Sequence, residues 1–143
     1  MRKRLNNLKI GATLLTVVVG LGVSGCQSGA RMGAGAAYPV AKTQSGSVDA
    51  QVMRDEDRLT IINTSARPFR ETTLWLNAQY GRVVPALDVG RTITLDLSSF
   101  KNEFGESFRA GGFFATERPD AIVLAQVELE AELVGLVVVR GKP

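Results

Sequence analysis

The chain has 143 residues, a single cysteine, no histidine, and 17 basic against 14 acidic side chains. Without histidine there are no Ser-His-Asp or Cys-His nucleophile systems, no histidine general bases and no imidazole metal sites. One cysteine cannot form an intramolecular disulfide, so the folded part must hold together through its core.

The first element is a basic start followed by an apolar run. Arg2, Lys3, Arg4 and Lys9 are the only charges before residue 26, and residues 10–23 are 14 uncharged, largely apolar positions. That order is the pattern of a secretory signal. As a helix the run would be about 21 Å long, short of the roughly 30 Å hydrocarbon core that a transmembrane helix must cross. Gly11, Gly20 and Gly22 weaken a permanent helix further. Residues 1–25 are therefore expected to be a signal peptide. Its removal takes away four positive charges and no negative ones, leaving 13 against 14. The remaining charges are interspersed, whereas a nucleic-acid binder needs a concentrated basic face. No nucleic-acid partner is expected.

Val23-Ser24-Gly25-Cys26 closes the apolar run and resembles the lipobox of bacterial lipoproteins. An aliphatic residue stands three places before the cysteine, two small residues follow it, and then comes the cysteine itself. The resemblance covers residues 1–26 and implies that the Cys26 thiol is diacylglycerylated, with cleavage between Gly25 and Cys26 and acylation (palmitate or similar) of the new amino group. Two or three acyl chains on one residue give lasting attachment, because each buried methylene contributes about 0.8 kcal/mol and one chain alone is marginal. In such lipoproteins an Asp after the cysteine tends to retain the protein on the inner membrane. Gln27 stands there, which points to the outer membrane of a two-membraned envelope. Lipidation also accounts for an unpaired cysteine in an exported chain.

Residues 26–47 are rich in Gly, Ala and Ser and carry no periodic apolar pattern, so a lipidated cysteine and flexible linker are expected there. As a coil the linker would span on the order of 25 Å, and about 70 Å if stretched. Tyr38-Pro39-Val40 offers an alternative, packing on the domain as an edge segment.

From residue 48 to 143 the pattern is mostly of period two. Val48, Ala50 and Val52 alternate with polar neighbours, and Asp55-Glu56-Asp57 is read as a turn. Leu59, Ile61 and Asn63 alternate next, until Ser65-Ala66-Arg67-Pro68 breaks the strand. Leu74, Leu76, Ala78 and Tyr80 then line one face, with Thr73, Trp75, Asn77 and Gln79 on the other. Residues 83–87, interrupted by Pro85, are edge-like. Ile93, Leu95 and Leu97 follow after Gly90. Finally, residues 122–140 form one long alternating run with Glu128, Glu130 and Glu132 on one face. A single strand of that length would span roughly 63 Å, against a diameter near 35 Å for a domain of about 100 residues. A bend at Glu130-Ala131-Glu132 is therefore required, pairing 122–129 with 133–140. About seven to eight short strands in one domain predict an all-β, small antiparallel β-sandwich, loosely similar to immunoglobulin and fibronectin-type folds.

Chemistry-bearing patterns are sparse. Gly105, Gly111 and Gly112 match neither GxGxxG nor a P-loop, and adjacent carboxylates on a short turn point apart rather than converge on calcium. No cofactor, metal or catalytic residue is expected, and the chain is not read as an enzyme. Trp75 is the one candidate surface. Alternation sets it opposite the Leu74/Leu76 core face, where it either meets a protein partner or a sugar, or is covered by the second sheet or the tether. The reading is a membrane-anchored envelope lipoprotein that is a structural or protein-interaction module for another envelope protein. The alternative is a ligand-binding lipoprotein for a solute, a glycan or peptidoglycan.

Overall fold

Alternation becomes strand wherever β-branched and leucine residues occupy every second position. A computed structural model describes residues 35–112 and 115–139. Its strands are β1 (Gln44–Asp55), β2 (Arg58–Asn63), β3 (Thr72–Leu76), β4 (Tyr80–Val84), β5 (Thr92–Asp96), β6 (Ala125–Leu129) and β7 (Glu132–Val139). One 3-10 turn, Leu97–Ser99, follows β5 and is capped by Asp96, whose carboxylate accepts from the Ser98 N–H. The fold is all-β, as the pattern predicts.

The seven strands form one sheet in the order β4-β3-β6-β7-β1-β2-β5. Every pair is antiparallel except β1 with β7, so the sheet is mixed. The sheet folds over along β1, whose register against β7 shifts between Val48 and Gln51. That curl brings β2 and β5 face to face with β3, β4, β6 and β7. Ile61 and Ile93 from one layer line the same interior space as Leu74, Val84, Val127 and Leu136 from the other. The result is a sandwich-like curl, with β2 and β5 in one layer, β4-β3-β6-β7 in the other and β1 running between them.

Two positions refine the strand expectations. The run 73–80 is not one strand but two: the chain reverses at Asn77 and Ala78, both at positive φ (53° and 54°). The Gln79 N–H closes this turn on the Leu76 carbonyl at 3.1 Å. The bend required in the C-terminal run lies where the length argument places it. Leu129 pairs with Glu132 across Glu130-Ala131, and Glu130 takes φ 47°.

The core is a single cluster that includes Val52, Leu59, Ile61, Leu74, Leu76, Leu95, Leu97, Phe100, Phe108 and Val127. Phe108 comes from the glycine-rich loop and meets the Tyr80 ring edge-on at 5.3 Å. At one end of the sandwich, Gly81 and Lys101 exchange backbone bonds of 2.9 and 3.2 Å, tying edge strand β4 to the segment after β5. At the other end Asn63, fully buried, uses its whole amide. Its nitrogen donates to the carbonyls of Arg67 and Leu87, and its oxygen accepts from the Ser65 N–H and hydroxyl. A buried amide saturated in this way carries no desolvation penalty, and it fixes two loops to the end of β2.

Candidate functional site

Cys26 and Gly25, the lipidation and cleavage positions, lie outside the described residues. The remaining candidate, Trp75, sits on the outer face of the β4-β3-β6-β7 layer, the face alternation assigns to it. It is not a free surface, however, being only 1% exposed. Of the two readings of Trp75, the exposed contact surface is corrected and cover by the tether holds, the covering segment being the one before β1.

That segment is a strap. The Gly35 N–H bonds to the Asn102 carbonyl at 2.9 Å. Tyr38 lies edge-on to the Trp75 indole, with centroids 5.4 Å apart and planes at 90°. Lys42 bonds the Glu128 carboxylate at 2.7 Å and the Glu130 carbonyl at 2.6 Å, and the Thr43 carbonyl accepts from the Leu133 N–H at 3.1 Å. The strap thus runs the length of the layer, from the loop carrying Asn102 to the β6–β7 turn, and enters β1 at Gln44. Of the two readings of this region, Tyr38 packs on the domain, while Val40 does not and remains 87% exposed.

Beneath the strap is a cross-strand row. Trp75 pairs with Gly81 on one side and Gln126 on the other, and Gln126 pairs with Gly135. The two glycines leave room for their neighbours. A methyl group on Gly81 would stand 2.6 Å from the indole ring, and one on Gly135 would stand 2.9 Å from the Gln44 amide nitrogen. Gln126, itself buried, accepts from the Tyr38 hydroxyl at 2.9 Å and donates to the Gln44 amide oxygen at 2.5 Å. Glu128 receives the Trp75 indole N–H at 3.3 Å on its second oxygen. Its carboxyl is held below the ordinary glutamate range, first by the Lys42 bond and also by the Trp75 N–H, with burial opposing both.

Every buried side-chain nitrogen and oxygen among the described residues has a partner. The row is therefore a closed clasp, and it spends its polar groups on holding the strap. Asp55, Glu56 and Asp57 form the tight β1–β2 turn, with Asp55 paired to Arg58. Among the described residues no group of three or more acidic, cysteine or histidine side chains converges as a metal site would require. Inside the sandwich, the apolar space lined by Ile61, Phe69, Leu74, Val84, Leu87 and Val127 amounts to about 10 Å³. Reasoning from the sequence missed Lys42 and the anchor amide Asn102, and gave Tyr38 only within a segment that packs on the domain as the alternative to a free linker. The available signals were an aromatic residue and a lysine in a stretch otherwise made of small residues. No known protein family, curated protein or solved structure matches the chain.

Proposed function

We propose that this chain is a lipid-anchored cell-envelope protein whose sandwich is a non-enzymatic structural or protein-interaction module. Export and lipidation at Cys26 rest on the basic start, the short apolar run and Val23-Ser24-Gly25-Cys26. The placement at an outer membrane rests on Gln27.

The observation that carries the choice of module over ligand binder is the filled interior. Ligand sites are clefts or cavities of about 300–1,000 Å³, whereas the apolar space between the layers at Ile61, Leu74, Val84 and Val127 is about 10 Å³. That is room for one water-sized body without a polar group to hold it. Hollows of ligand size, such as the groove of about 370 Å³ beside Phe104, are open to solvent. The surfaces left for recognition are the outer faces, the loops and the sheet edges, which suit another envelope protein.

Expression in a lipoprotein-processing bacterium tests the anchor. Mass spectrometry is expected to find a mature chain beginning at an acylated Cys26, and Cys26→Ser is expected to release the protein from membranes. An unmodified thiol still preceded by residues 1–25 would overturn the reading. Crosslinking in intact cells tests the module, the expected result being one stoichiometric protein partner captured through the sandwich.

A further inference from the structure

Three of the six large exposed apolar side chains among the described residues lie at the end of the sandwich where the strap begins. Phe104 is 66% exposed, Val123 66% and Val40 87%. All three border the β3–β4 turn. Val40 and Phe104 share an open groove of about 370 Å³ with Ala78 and Gln79, and the Val123 N–H bonds the Asn77 amide oxygen at 2.9 Å. Single exposed apolar residues are ordinary, but a contiguous group marks a contact surface. The loop is rigidly presented. Asn102 accepts the N–H groups of Phe104 and Glu106 on its side-chain oxygen, at 3.1 and 2.9 Å, and donates to the Glu106 carboxylate at 2.7 Å.

The same residue fixes the strap. Gly35 is bound to the Asn102 carbonyl, two residues from Phe104, and only residues 27–34 lie between it and Cys26. Nine residue steps span at most about 32 Å fully extended. A tether free as far as residue 47 would reach about 70 Å. Docking of the strap therefore more than halves the reach and does so at one particular end. A domain of this size is about 35 Å across, so an anchored domain cannot swing its far end to the bilayer as easily as the end bearing Phe104.

We infer that the Phe104–Val40–Val123 end is a bilayer-contacting surface, with Phe104 as the side chain that enters the lipid interface. The inference rests on the lipid-anchor reading of the preceding section. Glu103 and Glu106 flank Phe104, so the contact is apolar insertion under a zwitterionic headgroup layer and does not depend on anionic lipid. Docked in this way, the domain stands with the β6–β7 turn and the loop at residues 85–91 directed away from the membrane.

The test uses the full lipidated chain in phosphatidylethanolamine–phosphatidylcholine vesicles, with an environment-sensitive dye on Phe104→Cys or on Val89→Cys. Val89 is also apolar and 52% exposed, but lies at the far end. Interfacial apolar residues sit about 5–10 Å below the headgroups, so brominated lipid is expected to remove roughly half of the dye emission at 104 and to leave that at 89 unchanged. Lengthening the chain by 20 Gly/Ser residues between positions 34 and 35 is expected to reduce the loss at 104. Flotation with the vesicles without quenching at 104 overturns the bilayer contact while leaving the anchor standing. Equal quenching at 104 and 89 overturns the orientation. Failure to float overturns the anchor and the contact together.

Discussion

Replacing Tyr38 tests the clasp at its centre. Tyr38→Phe keeps the ring against Trp75 but removes the hydroxyl that Gln126 accepts at 2.9 Å. The Gln126 oxygen, buried under the strap, then has no donor, which costs about 1–3 kcal/mol. Tyr38→Ala loses the edge-to-face pair as well, worth a further 0.5–1.5 kcal/mol, roughly. The sum is about 1.5–4.5 kcal/mol. The expected response is local before it is global, because the sandwich core lies on the other face of the layer. Trp75 is the only tryptophan, so its fluorescence reports the clasp alone. Wild-type protein is expected to show blue-shifted emission resistant to acrylamide. Tyr38→Phe should be partly quenchable, and Tyr38→Ala red-shifted and freely quenched. Each kcal/mol felt by the whole domain lowers Tm by about 4–8 °C for a domain of 60–100 residues. Emission and quenching in Tyr38→Ala identical to wild type would refute the burial of Trp75 by the strap.

Gly81→Ala places a methyl group 2.6 Å from the indole, and the ring cannot retreat because Tyr38 lies against it. Overpacking of this kind costs about 1–3 kcal/mol, readable as a drop in the urea midpoint together with a change in Trp75 emission. In contrast, Ala78→Gly should stabilise by roughly 0.5–1 kcal/mol, because the residue stands at φ 54° where a Cβ is unfavourable. Calorimetry should show a higher Tm. The clasp is also expected to weaken in acid. Glu128 is depressed in the folded state, so its contribution is complete above the ordinary glutamate value near 4.5 and is lost as pH falls through the lower folded value. Trp75 quenching should therefore rise on acidification in wild type and lose that component in Glu128→Gln.

What could be read from the sequence followed from parity and length. β2 and β5 carry unbroken alternation, and the C-terminal run was too long for one strand, so its turn was demanded by dimensions alone. The β3–β4 turn escaped both tests. Leu76 pairs with Tyr80, an even separation, so even-numbered residues face the core on both arms and alternation runs through the turn unbroken. Eight residues also fit one strand, so length raised no objection, and Asn77-Ala78 lacks the glycine that usually announces such a turn. Trp75 had its face assigned correctly, while its cover was left open between a partner, the second sheet and the tether. Its cover is a stretch of small residues with no period, and a single tyrosine decides the contact. The parallel β1–β7 pair was equally hidden, since alternation gives the buried side of a strand but not the direction of its neighbour.

That parallel pair has a consequence for how the molecule is completed. Among the described residues β1 alone bridges the two layers, so until β7 exists its outer edge has no neighbour. Tyr38 and Gln126 are 88 positions apart, and a chain threaded from its amino end delivers β1 first and β7 last. The nascent protein therefore waits through nearly its whole synthesis with adhesive strand borders uncovered, the condition that invites intermolecular pairing. Seating of the strap over Trp75 requires β6 and β7 in place, which makes it a signature of a finished fold.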